Sequence, residues 1–559
     1  MPTRWDHLRV NKNKLMCFIS SRALSLLIST LVILSGMAMS AHAATSGETT
    51  TQSSDENSSV MGFVTRSSTN SESVRRLNEM GVGQTFVYNG ITGTILKYDS
   101  AQGKPGAMSG FELLPQSSIF SANDIGSRSH TFIRILVPTS GKSVVPTSHS
   151  QALANLEEAR GNPNYKPPGN FSILANTPAS LACVYNLAPQ PVNQPAGCNP
   201  NLTSVNPSGG GGAIALIDPY DDPTAAVDLA FFSKYFGLPA ANFTLVYAGG
   251  PAPYVSGTKP SFMGGTDVEE EALDIEWAHA MAPSAKIFLV EAQNNQLANI
   301  LTAIQAAQYL VSQNGGGQIS MSFGFGDFVG ETTVDPVLAA APANVVQLAS
   351  AGDTGSQVNW PSASPYAISV GGTSFNRDGS GNFINETTWS DTGGGLSTQE
   401  LRPTFQNITS VEAVVGTARG TPDFSMLADP DTGVVIYQGG QWIIVGGTSL
   451  SSPLLAGLLN LSDSANSSFS SQSQTIQTLY ENGFKGVDTN DITTGSCGAN
   501  SAMLGYDLCT GWGSINSAPY VATSVSCAPN GKVLGGAVSP NCVVNTQTPI
   551  DAGRPVRRY

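Results

Sequence analysis

Gly209-Gly210-Gly211-Gly212-Ala213-Ile214-Ala215-Leu216-Ile217-Asp218 marks a change in the character of the chain. A glycine run opens onto five uninterrupted apolar residues, the pattern of a strand whose sheet is covered on both faces. Downstream, similar runs alternate with segments of helical periodicity. Ala225 to Phe236 reads as a helix and Ala285 to Val290 as the next strand, while Leu297, Ile300, Leu301, Ile304 and Val311 form one apolar helix face. Ile319 to Phe323 and Val345 to Ala349 resume the strands. The alternation predicts an α/β fold, a mostly parallel sheet flanked by helices, in which ligands gather at the carboxyl ends of strands.

Upstream, Thr85-Phe86-Val87-Tyr88 turns through Asn89-Gly90 into Ile91 to Tyr98, and Thr131 to Val137 is another apolar run. Met61 to about Val145 therefore reads as a small β-containing module. Pro146 to Pro207 is a Pro/Asn-rich connector, and residues 44 to 60 are rich in Ser, Thr and Glu. At the amino end Arg4, Arg9, Lys12, Lys14 and Arg22 precede the apolar run Ala23 to Leu34, followed by the small-residue site Ala41-His42-Ala43. That order is a secretory signal peptide, with cleavage after Ala43. A membrane anchor is the competing reading, but Ser and Gly interrupt the run and no later stretch reaches about 18 continuous apolar residues. The predicted organisation is a signal peptide at 1–43 and an amino-terminal module with linker at 44–175, a candidate propeptide. A catalytic-type domain at 176–524 and a tail at 525–559 follow.

Charge narrows the function. The 559 residues include 40 Asp and Glu against 26 Lys and Arg, a net charge of −14, which excludes a basic nucleic-acid binder. Removing residues 1–43 takes away five basic residues and Asp6 and leaves 21 basic and 39 acidic residues, net −18. A hydrophobic content of 40% argues against disorder, and charged residues at only 12% suit a protein that stays folded where carboxylates are protonated. Of seven cysteines, Cys17 lies in the signal. The other six fall into three close pairs, Cys183 with Cys198, Cys497 with Cys509 and Cys527 with Cys542, and local pairing in an oxidising compartment is the preferred connectivity. Zinc is disfavoured because there is neither a Cys-x-x-Cys nor a His-rich cluster.

Three constellations carry chemistry. Val445-Gly446-Gly447-Thr448-Ser449-Leu450-Ser451-Ser452-Pro453 follows the strand Trp442 to Val445 and reads as strand, tight turn and helix. The glycines allow a substrate backbone to approach, Ser449 sits at the helix entrance, and Pro453 is placed in a first turn whose N–H groups need no helical partner. Those free N–H groups suit a developing oxyanion. The competing reading of Ser449 is a helix cap. Val370-Gly371-Gly372-Thr373-Ser374 repeats the pentapeptide but runs into the polar turn Asn376-Arg377-Asp378, so Ser374 reads as structural.

The second constellation is Thr266-Asp267-Val268-Glu269-Glu270-Glu271-Ala272-Leu273-Asp274-Ile275-Glu276-Trp277. Thr266 and Glu269 can form a capping box, and Leu273, Trp277 and Met281 supply apolar helix positions. Glu270 and Asp274 lie four apart on one helical face, where two like charges are unfavourable unless they share a proton. A solvated acidic face is the competing reading. The third is Ser350-Ala351-Gly352-Asp353-Thr354-Gly355 at the end of the strand Val345 to Ala349. Asp between glycines is commonly a turn residue, yet a protonated carboxylic acid there could donate to a tetrahedral intermediate.

Histidine chooses between serine-hydrolase schemes. Beyond the signal only His130, His149 and His279 remain, and none sits in a Gly-His-Gly-Thr-like turn that a Ser/His/Asp triad with Asp218 would need. An imidazole is also protonated at acid pH, whereas Glu keeps a basic fraction.

In order and strand placement, Glu270-x-x-Leu273-Asp274, Ser320-x-Ser322-Phe323-Gly324, Gly352-Asp353-x-Gly355 and Gly447-Thr448-Ser449-x-x-x-Pro453 resemble the sedolisin, or serine-carboxyl, peptidases. The resemblance spans about residues 213 to 520 and implies a subtilisin-like fold. It also implies that Ser449 is the nucleophile, Glu270 its general base, Asp274 the partner orienting Glu270, and Asp353 the oxyanion donor. Gly446 stands where the family usually has Ser, a position that supplies turn geometry. The resemblance further implies one structural Ca²⁺, held by the side chains of Asp491 and Asp507 and the carbonyls of Ile492 and Gly505, with Met503 where a Gly carbonyl is usual. A Cys497 to Cys509 bridge would close that loop. Sedolisins are commonly made with a long propeptide, and residues 44 to about 175 do not match that module.

The sequence and the resemblance together predict a secreted or periplasmic acid endopeptidase acting on proteins or polypeptides, a monomer with no membrane span and no nucleic-acid partner. A non-catalytic secreted binding or adhesion protein on a peptidase scaffold is the alternative. An esterase lacks support because Gly-x-Ser-x-Gly is absent around Ser449.

Overall fold

The computed structural model describes residues 85–88, 91–99, 110–119, 126–136, 175–188, 197–261, 267–465, 469–486 and 488–516, all within the compact unit Phe63–Tyr559. The signal peptide, Thr266, His149, the Cys527–Cys542 pair and the tail lie outside the described residues.

Five short strands come first: β1 Thr85–Tyr88, β2 Ile91–Asp99, β3 Gly110–Pro115, β4 Arg128–Ser129 and β5 Phe132–Leu136. β1 and β2 form the antiparallel hairpin that Asn89-Gly90 predicts, with Tyr88 opposite Ile91. After the helix Pro178–Val184, the strands β6 Ala213–Pro219, β7 Asn242–Tyr247, β8 Lys286–Ala292 and β9 Gly317–Met321 alternate with the helices Ala225–Phe236, Val268–Met281 and Leu297–Gln313. Next come β10 Phe323–Gly326, β11 Val345–Ser350, β12 Asn359–Trp360, β13 Ile368–Arg377 and β14 Phe383–Thr388. The chain continues through β15 Gly395–Leu401, β16 Ala418–Thr421, β17 Phe424–Leu427, β18 Val434–Gln438 and β19 Gln441–Gly446 into the helix Thr448–Ala465.

The central sheet runs β17-β13-β11-β9-β6-β8-β7, parallel throughout this span. β6 shows why its sequence is an unbroken apolar run. Ile214 and Leu216 join the core under the helices Ala225–Phe236, Val268–Met281 and Thr448–Ala465, while Ala213, Ala215 and Ile217 join the core under Leu297–Gln313. A strand buried on both faces has no polar side to show. The fold is mixed α/β with a mostly parallel, helix-flanked sheet of subtilisin-like form and small antiparallel sheets at the amino end.

Three local features differ from the sequence reading. The run Ile319 to Phe323 is two strands, because the chain leaves the parallel sheet at Ser322 and re-pairs as β10 with β4 and β12. The amino-terminal strands are not a separate sheet: β5 pairs antiparallel with β19, giving the order β1-β2-β3-β5-β19-β18. Pro453 lies inside the helix Thr448–Ala465 and not in its first turn. Lacking an N–H, it leaves the Ser449 carbonyl without its helical donor, and the Ser322 hydroxyl lies 3.3 Å from that carbonyl.

Candidate active site

The site assembles where the carboxyl ends of β6, β9 and β11 meet two helix amino-termini. The Val268–Met281 helix begins at the cap Asp267, whose side chain makes no capping bond and accepts from the Ser129 hydroxyl at 3.1 Å. All 14 of its residues are buried, Glu269, Glu270, Glu271, Asp274 and Glu276 included, so the acidic face is not solvated. It is enclosed between the sheet and the Thr448–Ala465 helix. Trp277 fixes the packing by donating from Nε1 to the Val435 carbonyl at 3.1 Å.

Four turns from distant parts of the chain converge here. Gly447, with φ +106°, provides the tight turn from β19 into the Thr448–Ala465 helix. Ser449 is fully buried, and its hydroxyl donates to the Ser322 carbonyl at 3.1 Å. The Ser322 hydroxyl in turn donates to Asp274 Oδ1 at 2.7 Å. Ligand-type oxygens of Asp218, Glu270 and Asp274 all lie within 4.8 Å of one another. Glu270 Oε1, Asp274 Oδ2 and Asp218 Oδ2 are buried without a hydrogen-bond partner, as expected where neighbouring carboxyls share protons. Such a buried acidic cluster could also hold an ion.

Electrostatics follow from this crowding. Burial raises the proton affinity of Glu270 well above that of an ordinary carboxylate, and the charges of Asp274 and Asp218 add to it. The nearby Ser449 hydroxyl works the other way. Asp274 is raised by burial and then by Asp218, with the Ser322 hydroxyl opposing. Asp218 rises to about 8 through burial and the charge of Asp267. Three carboxyls this close cannot all be ionised at neutral pH.

Asp353 stands on the other side of the nucleophile turn. Its Oδ1 accepts from the Thr448 N–H and hydroxyl, both at 2.8 Å, while Oδ2 is buried without a partner. Burial lifts its proton affinity well above the ordinary range, against the two Thr448 bonds. A neutral carboxyl there has a free O–H to donate.

A peptide already lies in this space, and it is the chain's own. β4 pairs antiparallel with β10, Ser129 opposite Phe323 and Arg128 opposite Gly324. The His130 N–H faces the Ser322 carbonyl at 3.3 Å and Ser449 Oγ at 3.0 Å. The His130 carbonyl accepts from the Ser449 N–H at 3.1 Å, and the Thr131 hydroxyl donates to Glu270 Oε2. A Cβ built on Gly447 would lie 2.0 Å from the His130 oxygen and 2.7 Å from Asp353 Oδ2, so both oxygens border this turn. The carbonyl of His130 accepts from a backbone N–H on the same side of the turn as Asp353, with the Ser449 hydroxyl near the His130 N–H.

The structure brings Ser449, Glu270, Asp274 and Asp353 together. It adds residues that the sequence reading left aside. Asp218 was read as the end of a strand and as the carboxylate of a triad that lacked its histidine, and Ser322 and Thr448 as parts of motifs. His130 and Thr131 gave no local signal. Ser374 is structural, its hydroxyl donating to Asp429 Oδ2 at 2.6 Å within β13. His279 packs, with Nε2 3.0 Å from the Pro239 carbonyl.

The carboxyl-terminal loop is a separate construction. Cys497–Cys509 and Cys183–Cys198 are both bonded. Asp491 Oδ2 accepts from the Gly505 N–H at 2.9 Å, and Asp507 accepts from the N–H groups of Met503, Cys509 and Thr510 at 2.8 to 2.9 Å. Asp491 Oδ1 is buried with no hydrogen-bond partner. That orphaned oxygen, beside a fully buried second carboxylate, fits a hard cation with oxygen ligands.

Comparison with known proteins points to peptidases of similar fold. A profile of the subtilase family matches residues 261–513. The chain is 36% identical over 186 residues to sedolisin of Pseudomonas sp. (strain 101), covering 30% of each chain. It is 32% identical over 340 residues to kumamolisin of Bacillus sp. (strain MN-32), covering 55% of this chain and 58% of that protein. It thus spans less than two thirds of either relative. Among solved structures, Pseudomonas sedolisin, a serine-carboxyl proteinase complexed with two molecules of pseudo-iodotyrostatin, superposes with a TM-score of 0.51 at 25% identity. That match covers 62% of this chain and 97% of the other.

Proposed function

This chain belongs to the sedolisin group of the subtilase family, and from that premise we propose that it is a secreted serine-carboxyl endopeptidase hydrolysing proteins and polypeptides under acid conditions. One observation carries the reading: a peptide carbonyl, that of His130, rests against the Ser449 N–H and Asp353 while the carboxyls of Glu270 and Asp274 stand behind the serine.

The roles follow from position. Ser449 Oγ bonds to the substrate carbonyl carbon as its proton passes to Glu270. The oxyanion is held by the Ser449 N–H and the protonated carboxyl of Asp353. Collapse breaks the C–N bond, and Glu270 returns the proton to the departing amine. Water, giving its proton to Glu270, then attacks the acyl ester and releases the carboxyl product and the Ser449 hydroxyl. Asp274, braced by Ser322, positions Glu270. Asp353 must keep its proton and the Glu270 cluster must lose one, so the rate should fall on both sides of an optimum, which the resemblance to serine-carboxyl peptidases puts below neutral pH. Ca²⁺ on the part-exposed Asp491 and the buried Asp507 would neutralise both carboxylates and hold the loop, supplying structure and no reaction step.

Residues 44–175 are read as a module removed on activation, supported by the passage of residues 128–131 through the cleft. Casein hydrolysis at pH 4 by the purified chain, lost in Ser449→Ala and in Glu270→Ala, is the test. Retention of activity in either variant, or a rate rising through pH 7 to 8, would overturn the reading.

A further inference from the structure

The side chain that follows the cleft-bound backbone is enclosed. His130 is 6% exposed, and its ring enters a space between β10, the end of β11 and β12. Nδ1 lies 2.6 Å from Ser350 Oγ. The Ser350 hydroxyl has a second partner, the Met321 carbonyl at 3.4 Å, so it can donate there and accept from the ring N–H. One glycine makes the room: a Cβ on Gly324 would come within 2.7 Å of the imidazole Cε1, whereas one on Gly352 would meet the Asn359 amide at 2.2 Å and touch the ring only at 3.9 Å, an ordinary contact. Asn359 closes the space, held by its Nδ2 donating to the Ala351 carbonyl at 3.0 Å. With no carboxylate bonded to the ring, burial alone pulls the imidazole down to about 3, and the pocket holds it neutral.

We infer that this pocket sets the primary specificity of the cleft and that Ser350 at its base selects a planar side chain bearing an N–H, so that peptide bonds are cleaved on the carboxyl side of histidine. The inference deepens the peptidase reading and rests on it. Its chemistry is that of a site built to hydrogen-bond one substrate group. An apolar side chain of similar size fills the same space but leaves the Ser350 oxygen unpaired.

The test uses the full chain after incubation at pH 4, with two peptides that differ only at one position, Arg-Ser-His-Thr and Arg-Ser-Leu-Thr cores, compared at pH 6.5, where about half of a free imidazole is already neutral and little of the preference is spent on removing its proton. The wild type is expected to favour the His peptide in kcat/KM by about 10-fold, the scale of one buried hydrogen bond. Ser350→Ala should erase that ratio while changing the Leu peptide less than about 3-fold. Gly324→Ala should slow both peptides while sparing one with Ala at the varied position. Casein cleavage together with equal use of the two peptides, or an unchanged ratio in Ser350→Ala, would overturn the specificity alone. Failure to cleave casein or either peptide would remove the peptidase reading, and this inference with it.

Discussion

Gly447→Ala tests the position of the oxyanion with a single methyl group. The added Cβ would stand 2.0 Å from the His130 carbonyl oxygen and 2.7 Å from Asp353 Oδ2. Ordinary carbon–oxygen contact is about 3.3 Å, so a bound carbonyl must retreat by roughly 1 Å. A misplacement of that size costs about 10²-fold in rate. Losing one oxyanion donor costs about 10²–10³-fold. The substitution should therefore lower kcat on casein by about 10²–10³-fold. The backbone sets a separate effect, because φ at this residue is +106° and a non-glycine residue there is strained by about 1–3 kcal/mol. Thermal unfolding should fall by a few degrees and the chain should remain folded. A variant that keeps kcat within about 3-fold of wild type, with its fold intact, would show that substrate carbonyls do not occupy the place where the structure puts that of His130.

Other predictions use different parts of the molecule. Arg419 and Asp423 are fully buried and joined by two bonds of 2.6 Å, so Arg419→Leu strands a carboxylate and should cost about 3–5 kcal/mol in urea unfolding. Glu269 is held at about 7 and Asp218 at about 8, chiefly by burial. Because both fold with a raised proton affinity, the stability they contribute is complete below about pH 4 and is lost as the pH climbs through 7 to 8. The melting temperature should fall over that range, and Glu269→Gln should flatten the fall. Chelation of Ca²⁺ should lower the melting temperature of the wild type but not of Asp491→Asn, followed by calorimetry with and without EGTA.

Strands buried on both faces, such as β6, were legible because continuous apolar runs have few other uses, and Ser449, Glu270, Asp274 and Asp353 were legible because each follows or opens such an element. The burial of the acidic helix was not. Periodicity registered Leu273, Trp277 and Met281, but carboxyls buried against other carboxyls leave the same sequence pattern as carboxyls in water. The pairing of β5 with β19 joins segments some three hundred residues apart and leaves no local trace. Ser322, which ends one strand and precedes another, was hidden inside an apolar run whose break is visible only once its carbonyl and hydroxyl are seen serving Ser449 and Asp274.

The histidine nearest the nucleophile gives an argument for a carboxylate base that owes nothing to family resemblance. The His130 backbone touches Ser449, yet its ring nitrogen turns to Ser350, and burial keeps the imidazole from holding a proton above about pH 3. A base must gain a proton from the serine and keep it until the amine departs. The buried groups near Ser449 with a raised proton affinity are Asp353, held by Thr448 on the other side of the turn, and Glu270 with its neighbours Asp274 and Asp218. Their crowding makes a proton welcome where the imidazole's burial makes it unwelcome. The low-dielectric setting that disqualifies the histidine is thus the one that fits the glutamate for the task, and removing the crowding should weaken the base. Asp218→Asn takes away one charge acting on Glu270. It should move the acid limb of the pH-rate profile to lower pH while leaving casein binding unchanged, and an unmoved acid limb would separate Asp218 from the base.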